Sequence, residues 1–313
     1  MMGQPAWGNW MFQVDTISQS ADGRAANLSF SKGGWQTAAS DQGSAFDYFI
    51  ENQLSLLDTK GEWFHDDEAG KLYLFPNTTD GQPPKTVVVP RVRELISIEG
   101  SQRSPVANLI FDSISFVHST ETYMEKYMVP GPGDWSIRQS GAVYIEGAEN
   151  ITVRRSLFDA VGGNAVFMNG YVRWCNLSQN EVRYPGESAF AAVGRTAKFD
   201  ATAGDYPQDN TIELNHLHEI GVHTKQTAGY FQSQAAHNHL RGNAVYSGPR
   251  SGVNWNDGMG GGNTMSDSLL FNLVRETTDH GPVNSWYSFS TPHPQLSLMF
   301  CVVLGGLTDD ENG

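Results

Sequence analysis

The sequence predicts an all-β solenoid, a parallel β-helix of short stacked strands, on three observations. First, five segments beginning at Gly141, Asn164, Ser188, Gly221 and Gly281 align column by column on Gly252-Val253-Asn254-Trp255-Asn256-Asp257-Gly258. With Val143, Val166, Phe190, Val222, Val253 and Val283 as one column, the steps by subtraction are 23, 24, 32, 31 and 30 residues. A strand recurring at such a period marks a repeat architecture whose coils bury their apolar faces against their neighbours. Second, a polar residue ahead of an apolar one recurs between these strands, at Ser156, Asn180, Asn215, Asn238 and Ser268. In stacked coils such a residue turns the corner into another sheet and meets its equivalent one coil away. Third, no stretch between strands reads as a crossover helix of ten or more residues, which disfavours an α/β fold.

Taken in order, residues 1–85 do not follow the coil pattern. Residues 50–57 read as a short amphipathic helical turn, and residues 62–65 with 71–75 as a hairpin around Asp66-Asp67-Glu68-Ala69-Gly70. This portion is expected to cap an edge or open end of the solenoid, where backbone donors would otherwise be exposed. Coils occupy residues 86–287, beginning with strands at Thr86 to Val89, Leu95 to Ile98 and Leu109 to Phe116. Two insertions interrupt them, residues 119–139 and 195–209. Residues 288–313 offer neither a Gly-Val strand nor an Asn corner, and are expected to be foreign to the repeat or to form an apolar end plug.

Bulk properties narrow the function. The chain of 313 residues carries a net charge of −14, which argues against nucleic-acid binding. The apolar stretch from Leu296 to Leu307 is too short to span a bilayer, so no membrane partner is expected. Cys175 and Cys301 cannot form a disulfide framework. Sequons at Asn27, Asn77, Asn150 and Asn176 suggest the secretory pathway, although Met1 to Trp10 lacks the basic start and apolar run of a leader.

Period-2 alternation says which side chains face outward. With the valine column inward, the outward column is Tyr144, Phe167, Ala191, His223, Asn254 and Asn284, flanked by Glu146, Asn169, Val193, Lys225, Asn256 and Trp286. The outer face thus changes from apolar to His, Lys, Asn and Trp in the last three coils, which locates the candidate site. The residue before each strand, in the order Ser140, Gly163, Glu187, Glu219, Arg250 and His280, brings charge to the same edge. Asp279 and Asp257 stand beside it, and each also suits a simple turn. Carboxylates one or two coils apart lie about 5 or 10 Å from each other, which brackets the separations of retaining and inverting glycoside hydrolysis. Trp135, in the first insertion, and Trp286 suit sugar stacking. His218, His223 and His280 lack a fixed ligand spacing such as a helical His pair, so no metal site is expected.

Several of these residues carry a resemblance. Phe49-Ile50-Glu51-Asn52, Leu57-Asp58, Gly61-Glu62-Trp63-Phe64-His65-Asp66 and Gly70-Lys71-Leu72-Tyr73, with asparagine-cornered coils and Glu276-Thr277-Thr278-Asp279-His280-Gly281, resemble right-handed parallel β-helix proteins of the pectate-lyase-like superfold. Within it the chain is most similar to the glycoside hydrolase branch with α-L-fucosidase and xylanase activities. The resemblance runs over residues 10–287 and implies a pair of acids in a cleft along the helix face, with Asp279 matching a Glu-x-x-Asp-x-Gly stretch. It also implies further coils beyond these, so the chain reads as a piece of a longer domain.

The resulting expectation is a glycoside hydrolase acting on a polysaccharide or oligosaccharide. Asp279 and either Glu219 or Asp257 serve as acid and base or nucleophile, while His223, Lys225, Asn254, Asn284, His280 and Arg250 bind hydroxyls and Trp286 and Trp135 stack on rings. A polysaccharide lyase with Lys225 or Arg250 as base and calcium beside Asp257 is one alternative. A non-catalytic carbohydrate-binding solenoid is the other.

Overall fold

The computed structural model describes residues 2–4, 8–33, 47–128, 135–197, 200–256, 261–277, 280–285, 297–299 and 302–303. Among them the chain is all-β, with a single 3-10 turn, Leu54–Leu56, as its helical content. No helix of the described residues is long and apolar enough to cross a membrane.

Three parallel sheets make up most of the molecule, and each circuit of the chain gives at least one strand to each of them, the short strands Val106–Ala107 and Pro207–Gln208 adding to the first. The first sheet runs Ile96–Glu99, Gly141–Glu149, Asn164–Arg173, Phe190–Val193, Ala228–Ser233, Ser251–Trp255, Val283–Ser285. The second runs Ile110–Asp112, Thr152–Arg154, Asn176–Ser178, Thr211–Glu213, His239–Arg241, Thr264–Ser266, Ser297–Met299. The third runs Ser115–Val117, Leu157–Asp159, Glu181–Arg183, His216–His218, Ala244–Tyr246, Leu269–Phe271, Val302–Val303. Two short segments of the C-terminal tail therefore continue the second and third sheets. Thr86 to Val89, expected as a strand, forms none.

Alternation along each strand sends one side chain of every pair into the space enclosed by the sheets. Val143, Ile145, Val166, Met168 and Phe190 enter from the first sheet, Val153, Leu177 and Ile212 from the second, and Phe158, Val182 and Leu217 from the third, all buried in one core. At about 25 cal/mol per Å² of apolar surface, this stack is the main source of stability. Corners need a left-handed residue, and at three corner columns non-glycine residues have positive φ, including Asn150 (52°), Gln179 (57°) and Glu219 (49°). Such backbone costs about 1–3 kcal/mol per residue unless surroundings hold it. At two of the corners an asparagine directly after the left-handed residue supplies that hold in several coils. Asn180, Asn215 and Asn243 form a ladder in which the Asn180 N–H donates to Asn215 Oδ1 (3.0 Å) and the Asn215 N–H to Asn243 Oδ1 (3.0 Å). Asn210, Asn238 and Asn263 form a second ladder at the other corner.

The register corrects one strand of the sequence-based column. Phe190 pairs with Tyr230, and Tyr230 with Val253, so the fourth strand is Ala228–Ser233 and not the Gly221 to Lys225 segment. The column is Val143, Val166, Phe190, Tyr230, Val253, Val283, with steps of 23, 24, 40, 23 and 30 residues by subtraction. Gly221 has φ of 73° and Val222 is 45% exposed, which is turn and not buried-strand geometry.

The N-terminal portion is separate in kind. Trp10–Gln19 pairs antiparallel with Ala26–Gly33 and with Met2–Gln4, which in turn pairs with Asp47–Phe49. The expected hairpin is present as Trp63–Asp66 against Lys71–Leu74.

Candidate active site

The outer face of the first sheet is covered, and this reshapes the site. Trp135 and Ile137 from the first insertion pack on Phe167, Ala191, Val193, Ala228 and Phe231 in a second apolar cluster. Trp135 is 0% exposed, stacked on Phe231 at 4.9 Å with the Arg250 guanidinium 4.8 Å from its ring centre. It therefore offers no open face to a sugar, contrary to the stacking role expected of it. Arg250 is also fully buried and donates to the His280 ring, 2.9 Å from Nε2. Buried Trp135 and Arg250 and half-buried His280 form one unit at the strand-leading edge.

The corrected register replaces one residue of that edge. Its column is Glu187, Thr227, Arg250 and His280, with Thr227 where Glu219 was expected. Glu219 sits instead on the left-handed corner after His216–His218, on the third sheet. It is thereby removed from the acid pair. Glu187 stays on the edge but is 2% exposed. Its carboxylate accepts from Thr122 Oγ1 (2.9 Å) and Asn164 Nδ2 (3.3 Å) and lies 3.6 Å from Arg138 Nε. Burial pushes its carboxyl above the ordinary range, with Arg138 and Thr122 opposing. Glu187 thus fastens the insertion to the coils and is closed to substrate.

Residues 219–227, which include the Gly221 to Lys225 segment expected as strand, form a loop where four parts of the chain meet. Asn9 Nδ2 donates to the His223 carbonyl (3.0 Å), and the Lys225 N–H donates to Asn9 Oδ1 (2.6 Å). Gln226 Oε1 accepts from the Ser136 N–H and hydroxyl. Lys225 Nζ lies 3.1 Å from Glu276 Oε2. His223 and Lys225, both expected to bind substrate, face a cleft of about 890 Å³ between this loop and the N-terminal portion. Glu51, Asn52, Trp63, His65, Glu121 and Tyr123 line its other walls.

The cleft joins carboxylates to aromatic surface. Trp63 is 63% exposed and is a large accessible ring on its wall. The His223 ring packs 5.0 Å from that of Tyr123. Burial lowers the proton affinity of His223, Glu121 opposes this, and Lys225 adds to it, so the imidazole is held below its ordinary value. Burial and then Glu121 and Glu51 push the Tyr123 phenol up. A neutral imidazole and a neutral phenol can each donate and accept hydrogen bonds to hydroxyls.

Asn254 and Asn284 are neighbours in the first sheet, with Asn284 Nδ2 donating to Asn254 Oδ1 at 2.5 Å. Asn254 Nδ2 and both side-chain polar atoms of Asn256 are buried without a hydrogen-bond partner among the described residues. Asp257, Asp279 and Trp286 lie outside the described residues. Sequence reasoning missed Trp63, Glu121 and Glu276 as cleft residues, because their convergence depends on how the N-terminal portion and the insertion fold back on the coils.

On the same outer face, further along, Glu146 accepts from Tyr144 Oη (2.5 Å), Asn169 Nδ2 (2.8 Å) and Arg195 Nη1 (2.7 Å). Burial would raise its carboxyl, but these donors outweigh it and hold it below the ordinary value. Every donor is already engaged, which makes this cluster structural.

Comparison with known proteins gives two findings. A family model described as "GH141 insertion domain" matches residues 28–77, the stretch that supplies Glu51, Asn52, Trp63 and His65 to the cleft. No curated protein matches the chain. Among solved structures, one described as "Glycoside hydrolase" superposes with a TM-score of 0.75 at 17% identity, covering 91% of this chain and 56% of its own. The chain therefore spans little more than half the length of that structure, and at this identity the likeness is one of fold.

Proposed function

We propose that the chain is a carbohydrate-active, glycoside hydrolase-like protein built on a right-handed parallel β-helix of the pectate-lyase-like kind, and that its substrate is a polysaccharide or oligosaccharide. The carrying observation is the 890 Å³ cleft with carboxylates, an exposed Trp63 and the His223–Lys225 loop on its walls. The strand order supports the helical reading, since each circuit adds at least one strand to each of three sheets. Right-handed connections are the rule for parallel strands joined in this way. The family-model match over one cleft wall and the fold likeness to a glycoside hydrolase support the chemical class.

In this reading a sugar ring stacks on Trp63 while His223, Tyr123 and Lys225 contact its hydroxyls. Asp279 acts as one of the two carboxylates, and Glu276, three residues before it and tethered to Lys225, is the preferred partner, with Asp257 the other candidate. One carboxyl protonates the leaving oxygen and the other activates water or attacks the anomeric carbon. Asn284, which is only half-buried, would supply a further hydrogen-bonding group. The lyase reading has less support: Lys225 is ion-paired to Glu276, and Arg250 is buried against Trp135 and His280. It would require calcium, which hydrolysis would not.

Reducing-sugar release from a panel of plant and algal polysaccharides and aryl glycosides tests this. Turnover that survives chelation and falls about 10²–10⁴-fold in Asp279→Asn is the expected result. Glycan binding without turnover, unchanged by the substitution, would replace the hydrolase reading with that of a binding solenoid.

A further inference from the structure

The third sheet carries a cluster on its solvent face that the carbohydrate reading does not use. His216 and His218 flank Leu217, whose side chain is buried in the core. Alternation therefore sends both imidazoles outward from one rigid strand. The register sets Glu181 opposite His216 on one neighbouring strand and Ala244 opposite it on the other. His218 Nε2 lies 3.3 Å from Glu181 Oε1, and the two imidazole ring centres are 4.6 Å apart. One ligand atom from each of Glu181, His216 and His218 lies within 4.8 Å of the others.

We infer that Glu181, His216 and His218 form a binding site for a divalent first-row transition cation of the zinc class. A tetrahedral ion with ligands about 2.0–2.1 Å away sets its ligand atoms about 3.4 Å apart. The His218–Glu181 distance already meets this value, and His216, being exposed, can rotate to close the rest. Two imidazoles with one carboxylate is a donor set for zinc, copper or nickel, and a poor one for calcium or magnesium.

The surroundings orient these ligands. The Tyr246 ring stacks on His218 at 5.0 Å with planes 9° apart and lies 5.2 Å from His216. Ala244, opposite His216, adds little bulk beside that ring. Arg183 is the competing cation, 3.6 Å from Glu181, but it is held more closely by Asp159 at 2.7 Å. The fourth position faces solvent, open to water or a ligand. A histidine pair at i, i+2 on a strand does what a pair at i, i+4 does on a helix, which is why a search for helical spacing passes over it.

Calorimetric titration of the chelator-treated protein with zinc chloride tests the site. One equivalent should bind at micromolar or tighter affinity, with magnesium chloride giving no heat of binding. His216→Ala and Glu181→Gln, at side chains outside the core, should keep the circular dichroism of the parent and lose at least tenfold in zinc affinity. Absence of zinc binding by the parent would overturn the inference. So would equal affinity in both variants, since the ion would then sit elsewhere. Neither outcome depends on whether the protein turns over a glycan.

Discussion

Asparagines serve two opposite purposes on two sides of this molecule. At the corner between the second and third sheets, Asn215 is fully engaged. Its Oδ1 accepts from the N–H (3.0 Å) and Nδ2 (3.1 Å) of Asn180, and its Nδ2 donates to the Leu177 carbonyl (2.8 Å) and Asn243 Oδ1 (3.0 Å). On the outer side of the first sheet, Asn256 is equally buried, yet neither atom of its amide has a partner among the described residues. A satisfied buried amide specifies and stabilises a fold, whereas an unsatisfied one costs about 1–3 kcal/mol and calls for a ligand or water to complete it. The ladder side is thus scaffold. The outer edge, where a buried amide has no partner among the described residues, carries a cost that the ladder side does not.

Substitutions can break this contrast at graded strength. The largest effect is expected at the clamp that holds the insertion over the outer face. Arg138→Met removes the cation 3.6 Å from buried Glu187 and should destabilise the fold by about 3–5 kcal/mol, read from urea unfolding. The same carboxyl makes stability depend on pH. Its folded value is raised above the ordinary 4.5, so between the two values the native state keeps a proton that the unfolded chain has released. Stability therefore falls as pH rises above 4.5, and Glu187→Gln should flatten that part of the profile. Next comes the ladder: Asn215→Leu strands at least two buried groups and should cost about 3 kcal/mol. The smallest effect on stability is expected in the cleft. Trp63→Ala should change unfolding by less than about 0.5 kcal/mol while weakening glycan binding about tenfold, or about 1.4 kcal/mol, measured by affinity electrophoresis.

Much of the scaffold is written in the sequence, because stacking repeats the same demand at each coil. The columns through Val143, Val166, Phe190, Val253 and Val283 are legible since each position must be apolar and strand-compatible. The fourth strand escaped because Gly221-Val222 imitates the repeat while two loops stretch the step from Phe190 to Tyr230. Gly229, which falls opposite Gly252 in the register, was the available signal. The Asn238 and Asn215 corners both read as one motif, although they belong to different ladders, since sequence spacing does not say which sheet a corner leaves. In the N-terminal portion, Asp22-Gly23 between Trp10–Gln19 and Ala26–Gly33 is a hairpin signal that went unused.

The site was less legible for a physical reason. His223 and Lys225 line the cleft, but from a loop and not a strand, and their partners Asn9 and Glu276 are each far away in the chain. Trp135 and Arg250 were found as ligand-binding residues, yet both are buried, because a strand's outward face is solvent only where no insertion covers it. Periodicity reports which way a side chain points. It carries no information on what else arrives there.

The most direct measurement of the contrast between the two sides is a paired one on Asn256→Leu and Asn215→Leu, in which the unfolding free energy of each is measured. The account predicts that Asn256→Leu leaves stability within about 0.5 kcal/mol of the parent or raises it. Asn215→Leu should lose about 3 kcal/mol. If Asn256→Leu instead loses stability as the ladder variant does, the outer-edge asparagines are scaffold too, and the division between the two sides falls.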